Sequence, residues 1–240
     1  TGGPLINIFG ADHGGYVKRM TAAVAALSGM QNMLDIKLCQ LVNLLDNGQP
    51  VKMSKRAGTF VTVEDVIEAV GADVIRFIML TRRNDQTLDF DFAKVTEQSR
   101  DNPVFYVQYA YARIRSMMKK ADEIGFTPLP LSEVDLSQLQ HQRELILLRA
   151  LHELPDVVER ASRELAPHQI TTWLREFAAD LHGFYHDCRI LGDDIEPSLT
   201  QARFLLMRGV LIGLEIGMDL LGVSAPEEMW RDEIVEEGDG

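Results

Sequence analysis

The chain has 240 residues, 46% of them hydrophobic, which is enough for one or two domains with a sizeable core. Its formal net charge is −12 and is unevenly placed: residues 1–120 hold 15 Lys and Arg against 12 Asp and Glu, whereas residues 121–240 hold 9 against 24. This balance argues against a protein that binds nucleic acid over its whole surface, because phosphate contacts depend on cationic side chains.

The first 90 residues carry alternating strand and helix patterns. Leu5 to Phe9 is an apolar run that ends in glycines, and Asp46-Asn47-Gly48 is typical of a tight hairpin turn. Thr62 is a candidate helix cap, and Gly71 ends the helix that it begins. The predicted elements are a strand at 5–9, a helix at 16–29, strands at 40–45 and 50–53, and helices at 62–70 and 73–82.

After Phe92 the chain changes to amphipathic helices without a strand pattern. Residues 199–221 are apolar nearly all round, which predicts the central helix of a bundle. Residues 227–240 contain seven acidic residues and are expected to fray. The predicted helices lie at 93–121, 138–165, 167–188 and 198–221, with a proline-containing loop at 125–136.

A short basic run, Lys52-Met53-Ser54-Lys55-Arg56, follows the predicted hairpin and precedes Gly58-Thr59. Two ammonium groups three residues apart, on a loop with a hydroxyl and a glycine, can close around a polyphosphate and follow its charge as a bond breaks. The alternative is a solvated basic turn, because short cationic clusters also arise by chance. The complete run favours nucleotide chemistry.

Three further segments of the sequence have residue patterns that bear on function. Asn7 to Tyr16, NIFGADHGGY, follows a predicted strand, and its polar residues lie where open α/β sheets bind ligands. The other two are GADVIRF at 71–77 and DNPVFYVQYAYARI at 101–114. With KMSKR, and in this order, the segments resemble arginyl-tRNA synthetases, which are class I aminoacyl-tRNA synthetases. The resemblance extends from about Leu5 to Met229.

The resemblance implies the C-terminal portion of such an enzyme and a mainly α fold. Residues 1–90 would be the C-terminal part of a Rossmann-type α/β catalytic domain with the KMSKR loop, residues 91–226 an all-α anticodon-binding helical bundle, and residues 227–240 an acidic tail. The family's other signature, a His-x-Gly-His tetrad, does not occur in these 240 residues. We therefore expect the chain alone to be inactive.

The implied activity of the parent is that of an arginine–tRNA ligase, which forms arginyl-adenylate from L-arginine and ATP and transfers arginine to tRNA(Arg). ATP would enter with Mg²⁺ as the substrate complex, and no tightly bound cofactor is expected. Lys52 and Lys55 would stabilise the departing pyrophosphate, with Ser54 donating further hydrogen bonds. A free-standing tRNA-binding module without catalysis is the alternative. Class I synthetases for cysteine and methionine also join such a loop to a helical bundle.

Four residues are the candidate ATP contacts. Gly10 would allow close approach of the nucleoside, Asp12 would accept from ribose hydroxyls, and His13 would contact the adenosine. Met53 is expected to anchor the loop at the nucleotide site. The alternative is that Asp12 only caps the following helix and His13 is a loop histidine.

The candidate tRNA contacts lie on one predicted helix. Aromatic rings beside guanidinium groups can stack the splayed bases of a single-stranded loop. Some of these rings must instead belong to the core, because their helical spacing also suits packing. The candidates are Tyr106, Tyr109, Arg113 and Arg115, and Lys119 and Lys120 could extend the basic surface.

Cysteine and histidine usage predicts no special chemistry. Cys39 and Cys188 are too far apart to indicate a disulfide framework, so reduced, buried thiols are expected. His182 and His186 have a metal-like spacing but no third ligand in sight, and no metal is expected. No apolar run reaches the ~18 residues of a membrane span, and no signal peptide is visible at Thr1. We expect a cytoplasmic monomer without membrane contact.

Overall fold

The computed structural model describes residues 5–51, 61–97 and 102–229, and within these ranges helices predominate. The chain forms two compact units. Unit 1 comprises residues 1–65 and 82–95, and unit 2 comprises residues 66–81 and 96–240. The domain boundaries at residues 90 and 226 stay predictions.

Unit 1 begins with a strand, helix, strand arrangement. Strand β1 (Leu5–Gly10) pairs in parallel with β2 (Leu34–Cys39), with Leu5 opposite Leu34. A 3-10 helix (Ala11–Tyr16) and helix α1 (Val17–Ser28) connect them, as a parallel pair requires. Strand β2 is absent from the sequence prediction, although its Leu, Asp, Ile, Lys, Leu alternation has the period of a strand.

A second sheet of unit 1 contains the predicted hairpin. Strands β3 (Val42–Asp46) and β4 (Gln49–Pro50) pair antiparallel, and β3 also pairs in parallel with β5 (Leu88–Asp91). The hairpin prediction is confirmed, because Asn47 and Gly48 have φ of 49° and 76°, which a two-residue turn of this kind needs. Strand β5 was not predicted.

Helices α2 (Val63–Val70) and α3 (Ala72–Met79) follow in the chain. The predicted cap of α2 is confirmed: the Asp65 carboxylate accepts from the Thr62 backbone N–H at 2.7 Å, and the Thr62 hydroxyl accepts from the Asp65 N–H at 3.1 Å. Gly71 separates the helices with φ of 86°, a value that favours glycine.

The prediction of one helix over 93–121 is wrong. Helix α4 (Phe92–Thr96) is short, and helix α5 (Pro103–Glu123) starts afresh. The Asn102 side-chain oxygen accepts from the Val104 and Phe105 N–H groups at 3.1 and 3.3 Å, and proline at the first helical position lacks the N–H that would need a partner there.

Unit 2 is a helical bundle. Helices α6 (Gln142–Glu164), α7 (His168–Asp187) and α8 (Pro197–Leu221) match the remaining predicted helices to within a few residues. Its core includes Leu147, Leu174, Phe177, Leu181, Met207 and Leu214, all with exposures of 1% or less. Gly217 lets α7 and α8 approach closely, since a Cβ there would lie 2.6 Å from Leu174 Cδ2.

Helix α8 packs against α5, α6 and α7, which agrees with its predicted central position, but one of its faces is exposed. Ile212, Ile216 and Leu220 form a stripe on one face, and they are 53%, 44% and 49% exposed. None of the helices in the described ranges combines the length and the apolar character that crossing a membrane requires.

Candidate functional site

The predicted nucleotide-site residues of unit 1 lie where β1 ends. Gly10 is the last residue of the strand, and Asp12 and His13 lie in the 3-10 helix that follows. A Cβ at position 10 would lie 2.6 Å from Asp12 Oδ1, so a larger residue there would displace this carboxylate from its present position. His13 Nε2 is 3.7 Å from Asp12 Oδ2, and both side chains are more than half exposed.

Aromatic rings flank His13. Its ring centroid lies 6.2 Å from that of Phe9 and 5.9 Å from that of Tyr16, both in edge geometry. Tyr16 is the N-cap residue of α1, and no side chain caps that helix. Asp12 therefore does not cap α1, and its carboxylate and the His13 imidazole lie at the surface beside the carboxyl end of a parallel strand.

Four predicted residues, Lys52, Met53, Ser54 and Lys55, lie outside the described residues. The hairpin that precedes them is described as far as Val51. Asp91, only 5% exposed, accepts from the Asn47 N–H at 3.1 Å, the Gly48 N–H at 2.8 Å and the Ala93 N–H at 3.1 Å. This buried carboxylate fixes the hairpin turn to the end of β5.

Three of the four predicted tRNA-site residues of unit 2 gather around His182 of α7. The ring of Tyr106 lies 4.6 Å from that of His182, and the ring of Tyr109 lies 5.7 Å from it in a stacked arrangement. Arg113 Nη1 is 3.5 Å from His182 Nδ1. The guanidinium carbon of Arg113 lies 4.2 Å from the centre of the Tyr185 ring, a cation–π geometry. We call Tyr106, Tyr109, Arg113, His182 and Tyr185 the aromatic cluster.

The side-chain hydroxyl of Tyr185 is a polar atom in the interior of the aromatic cluster. It is buried and has no hydrogen-bond partner within the part of the chain that the structure describes. Burial raises the pKa of this phenol above its ordinary value of 10, and the nearby Arg113 opposes that rise. The hydroxyl therefore stays protonated and available as a donor. Tyr111, on the opposite side of α5, is 5% exposed and belongs to the core.

Arg115 lies apart from the aromatic cluster. Its Nη2 is 2.5 Å from Glu227 Oε1, and Lys119 Nζ is 3.1 Å from Glu228 Oε1. The two pairs border a cleft of about 740 Å³. Glu227 and Glu228 belong to residues 227–240, which the sequence predicts to fray. Both glutamates are instead ion-paired to α5. The rest of that segment, after Met229, lies outside the described ranges.

The segment Gly71 to Phe77 has a structural role in unit 2. Asp73 on α3 accepts from Gln108 Nε2 at 2.9 Å and from the Ser224 hydroxyl. Arg76 Nε donates to the Leu221 carbonyl at 3.0 Å, at the end of α8. These bonds join α3, α5 and the end of α8.

The sequence analysis did not place His182 and Tyr185 beside the candidate tRNA contacts. Both lie on the predicted helix 167–188 and are three residues apart, so they share a face. That spacing was the available signal, but it could not tell which helix they face. His186, the other half of the metal-like pair, contacts Asp187 at 2.6 Å.

Comparison with known proteins links the chain to one family. Residues 107–229 match the model of the DALR anticodon binding domain. An arginine–tRNA ligase of Cereibacter sphaeroides is 54% identical over 233 residues, which are 94% of this chain and 40% of that protein. The arginine–tRNA ligase of Ruegeria pomeroyi is 52% identical over the same shares. The chain thus spans about two fifths of the length of these curated relatives.

Comparison with solved structures also finds arginyl-tRNA synthetases. A chain from Campylobacter jejuni assigned as an arginyl-tRNA synthetase is 34% identical, with a TM-score of 0.82 over 95% of this chain and 48% of that one. The arginyl-tRNA synthetase of Thermus thermophilus is 23% identical, with a TM-score of 0.72 over 94% of this chain and 41% of that one, and supports the fold alone.

Proposed function

Because the chain belongs to the arginyl-tRNA synthetase family through its DALR anticodon-binding domain, we propose that it is part of an arginine–tRNA ligase. The observation that carries the proposal is the 54% identity to such ligases along 94% of the chain. The parent enzyme would join L-arginine, ATP and tRNA(Arg), acting as a monomer in the cytoplasm. Unit 2 would hold the anticodon, and unit 1 would contribute to the ATP site.

In the first half-reaction the arginine carboxylate attacks the α-phosphate of ATP and pyrophosphate leaves. Negative charge grows on the pyrophosphate, so cations placed beside it stabilise the transition state more than the ground state. Lys52 and Lys55 supply these cations in our proposal, with Ser54 as a hydrogen-bond donor and Met53 as an apolar anchor. ATP enters as its Mg²⁺ complex.

The exposed carboxylate of Asp12 is suited to accept from the ribose hydroxyls, and His13 offers an imidazole between Phe9 and Tyr16 for the adenosine. Gly10 leaves room for the Asp12 side chain. In the second half-reaction the terminal ribose hydroxyl of the tRNA attacks the activated carbonyl and AMP leaves.

We infer that unit 1 is one part of a larger Rossmann-type sheet. Parallel sheets are normally covered on both faces. Here Leu5, Ile6 and Ile8 of β1 are 52%, 49% and 68% exposed. This apolar surface supports the proposal that further strands and helices of the parent complete the catalytic domain. It also supports the expectation that the chain alone, which has no His-x-Gly-His tetrad, is inactive.

The aromatic cluster is our candidate for the anticodon contact. Tyr106 and Tyr109 are half-buried on α5, and bases of a single-stranded loop stack on aromatic rings of this kind. Arg113 can add a guanidinium plane or a phosphate contact. The Tyr185 hydroxyl, buried and without a partner among the described residues, would gain one if a base edge or a rotated side chain reached it.

A non-catalytic tRNA-binding module remains the second candidate. The absence of a His-x-Gly-His tetrad from these 240 residues favours this candidate. The complete KMSKR run argues against it, because an RNA-binding module has no use for a pyrophosphate clamp.

The test is RNA binding by the 240-residue chain. Fluorescence titration with tRNA(Arg) should give a lower Kd than an unrelated tRNA. Tyr109→Ala should weaken tRNA(Arg) binding by about 10-fold or more, because one base–aromatic stack is worth roughly 1–3 kcal/mol. Tyr109→Phe keeps the ring and should retain most of the affinity.

Arg113→Ala should also weaken tRNA(Arg) binding, because it removes a guanidinium that can contact a base or a phosphate. Its matched control is Arg163→Ala, since Arg163 is an exposed arginine on α6 that pairs with Glu159. The control should bind as the wild type does. Equal affinity for both tRNAs, or full binding after Tyr109→Ala and Arg113→Ala together, would place the recognition surface elsewhere.

A further inference from the structure

The segment that leaves α8 runs along one face of α5. Ser224 contacts Gln108, Glu227 contacts Arg115 and Glu228 contacts Lys119. The α5 partners are seven and four residues apart, so they lie along one side of the helix. We call residues 224–229 the strap.

The two ends of the strap are held differently. Ser224 is fixed by neutral and charged hydrogen bonds: its hydroxyl donates to Asp73, and its carbonyl accepts from Gln108 Nε2 at 3.0 Å. Just before it, the Leu221 carbonyl accepts from Arg76. The proximal end of the strap is therefore tied to α3 and α5 at several points.

The distal end is held by two surface ion pairs. The side chains of Glu227 and Glu228 are 72% and 62% exposed, and Arg115 and Lys119 are 37% and 67% exposed. Ion pairs of this exposure contribute little and are screened by salt. A competing anion could replace them without disturbing the core.

The charges that line the cleft beside the strap indicate which kind of molecule could displace Glu227 and Glu228. Lys119 and Lys120 are the last lysines of the sequence, and the cleft that they line with Arg115 is also lined by Glu123, Glu227 and Glu228. The two strap carboxylates occupy positions at these cations that the phosphates of a polyanion would need. Five further carboxylates follow Met229 in the sequence.

We propose that the strap is an autoinhibitory contact, in which Glu227 and Glu228 occupy Arg115 and Lys119 until RNA phosphates displace them. The inference rests on the proposed function, because the strap would regulate the access of RNA to the side of α5 that faces away from Tyr106 and Tyr109. It predicts that the strap lowers RNA affinity and that removing its two charges raises it.

The experiment compares the 240-residue chain with its double variant Glu227→Gln/Glu228→Gln. The probes are tRNA(Arg) and fluorescent heparin, a polyanion that is not a nucleic acid. The variant should bind both probes about 2- to 10-fold more tightly at low salt, the range expected for two exposed pairs. The gain should shrink toward none as salt rises and screens the pairs.

The matched control is Glu153→Gln/Glu176→Gln, which changes net charge equally at exposed positions on α6 and α7. It should show less than half of the gain. An equal gain in the control, or unchanged heparin affinity in the strap variant, would overturn the strap proposal. A gain for heparin without tRNA binding by any variant would show that the strap carboxylates compete with polyanions, but it would refute RNA as the molecule that displaces them and would refute the proposed anticodon role. A tRNA(Arg) preference without any gain in the strap variant would refute the strap proposal alone.

Discussion

Replacing Glu144 by glutamine should destabilise unit 2 strongly. The Glu144 side chain is 1% exposed, and its carboxylate accepts from Arg203 Nε at 2.7 Å and from the His141 backbone N–H at 2.8 Å. Arg203 is itself 13% exposed and donates to the Arg189 carbonyl at 2.5 Å. The pair thus joins the N-terminal cap of α6 to α8. Glutamine keeps the shape of the side chain but removes its charge.

The expected loss of stability follows from the burial of the Glu144–Arg203 ion pair. Removing one partner of a buried pair leaves the other charge uncompensated, which costs about 3–5 kcal/mol. For a unit of this size, 1 kcal/mol corresponds to roughly 2–4 °C in Tm, so the loss should be about 6–20 °C. The matched control is Glu153→Gln on the same helix, an exposed position where we expect a change within about 0.5 kcal/mol.

Urea unfolding of the 240-residue chain measures this change. Trp173 is 6% exposed and its Nε1 donates to the Ala150 carbonyl, so its emission reports on unit 2 once Trp230 is replaced by phenylalanine. A loss for Glu144→Gln no larger than that for Glu153→Gln would refute the reasoning. The double variant Glu144→Leu/Arg203→Met should recover much of the loss, because an apolar pair leaves no buried charge.

Two further predictions concern pH and catalysis. Hydrogen bonds from His186 and Arg143 lower the pKa of Asp187 from 3.8 to about 2, so its stabilising contribution is complete above pH 4 and is lost as pH falls toward 2. The urea-midpoint difference between wild type and Asp187→Asn should therefore shrink between pH 4 and pH 2, and a constant difference would contradict this assignment. In the full-length arginine–tRNA ligase that we propose as the parent, Lys55→Ala should lower the rate of adenylate formation, measured by pyrophosphate exchange, on the order of 100- to 1000-fold with little change in arginine affinity. A variant that loses arginine affinity but keeps its maximal rate would place Lys55 in another role.

The aromatic cluster was only partly predictable from the sequence. Tyr106, Tyr109 and Arg113 were candidates because their residue types and spacing on one helix suit base stacking. Arg115 shares that helix and chemistry, yet it pairs with Glu227, 112 residues away in the chain. The partners His182 and Tyr185 also come from a distant helix, so no local pattern could assign them to the aromatic cluster.

The sequence by itself determined the features that depend on near neighbours. Asn47-Gly48 specifies its hairpin through backbone conformations that few residues adopt, and Thr62 with Asp65 begins α2 through bonds three residues apart. The amphipathic periods of α6 and α7 likewise set their positions. The KMSKR run and the segments around it indicate the family because their residues are contiguous.

Only the tertiary structure decided what long-range contacts control. Strand β5 is four residues long and exists because it pairs with β3. In this pairing Leu88 lies opposite Val42, which is 46 residues earlier in the chain. Tyr109 contacts His182 while Tyr111 lies in the core, although both are tyrosines on α5, because packing of α7 and α8 selects which faces are covered. Side-chain identity sets what a residue can do, and the packed neighbours from distant segments determine which of those interactions form.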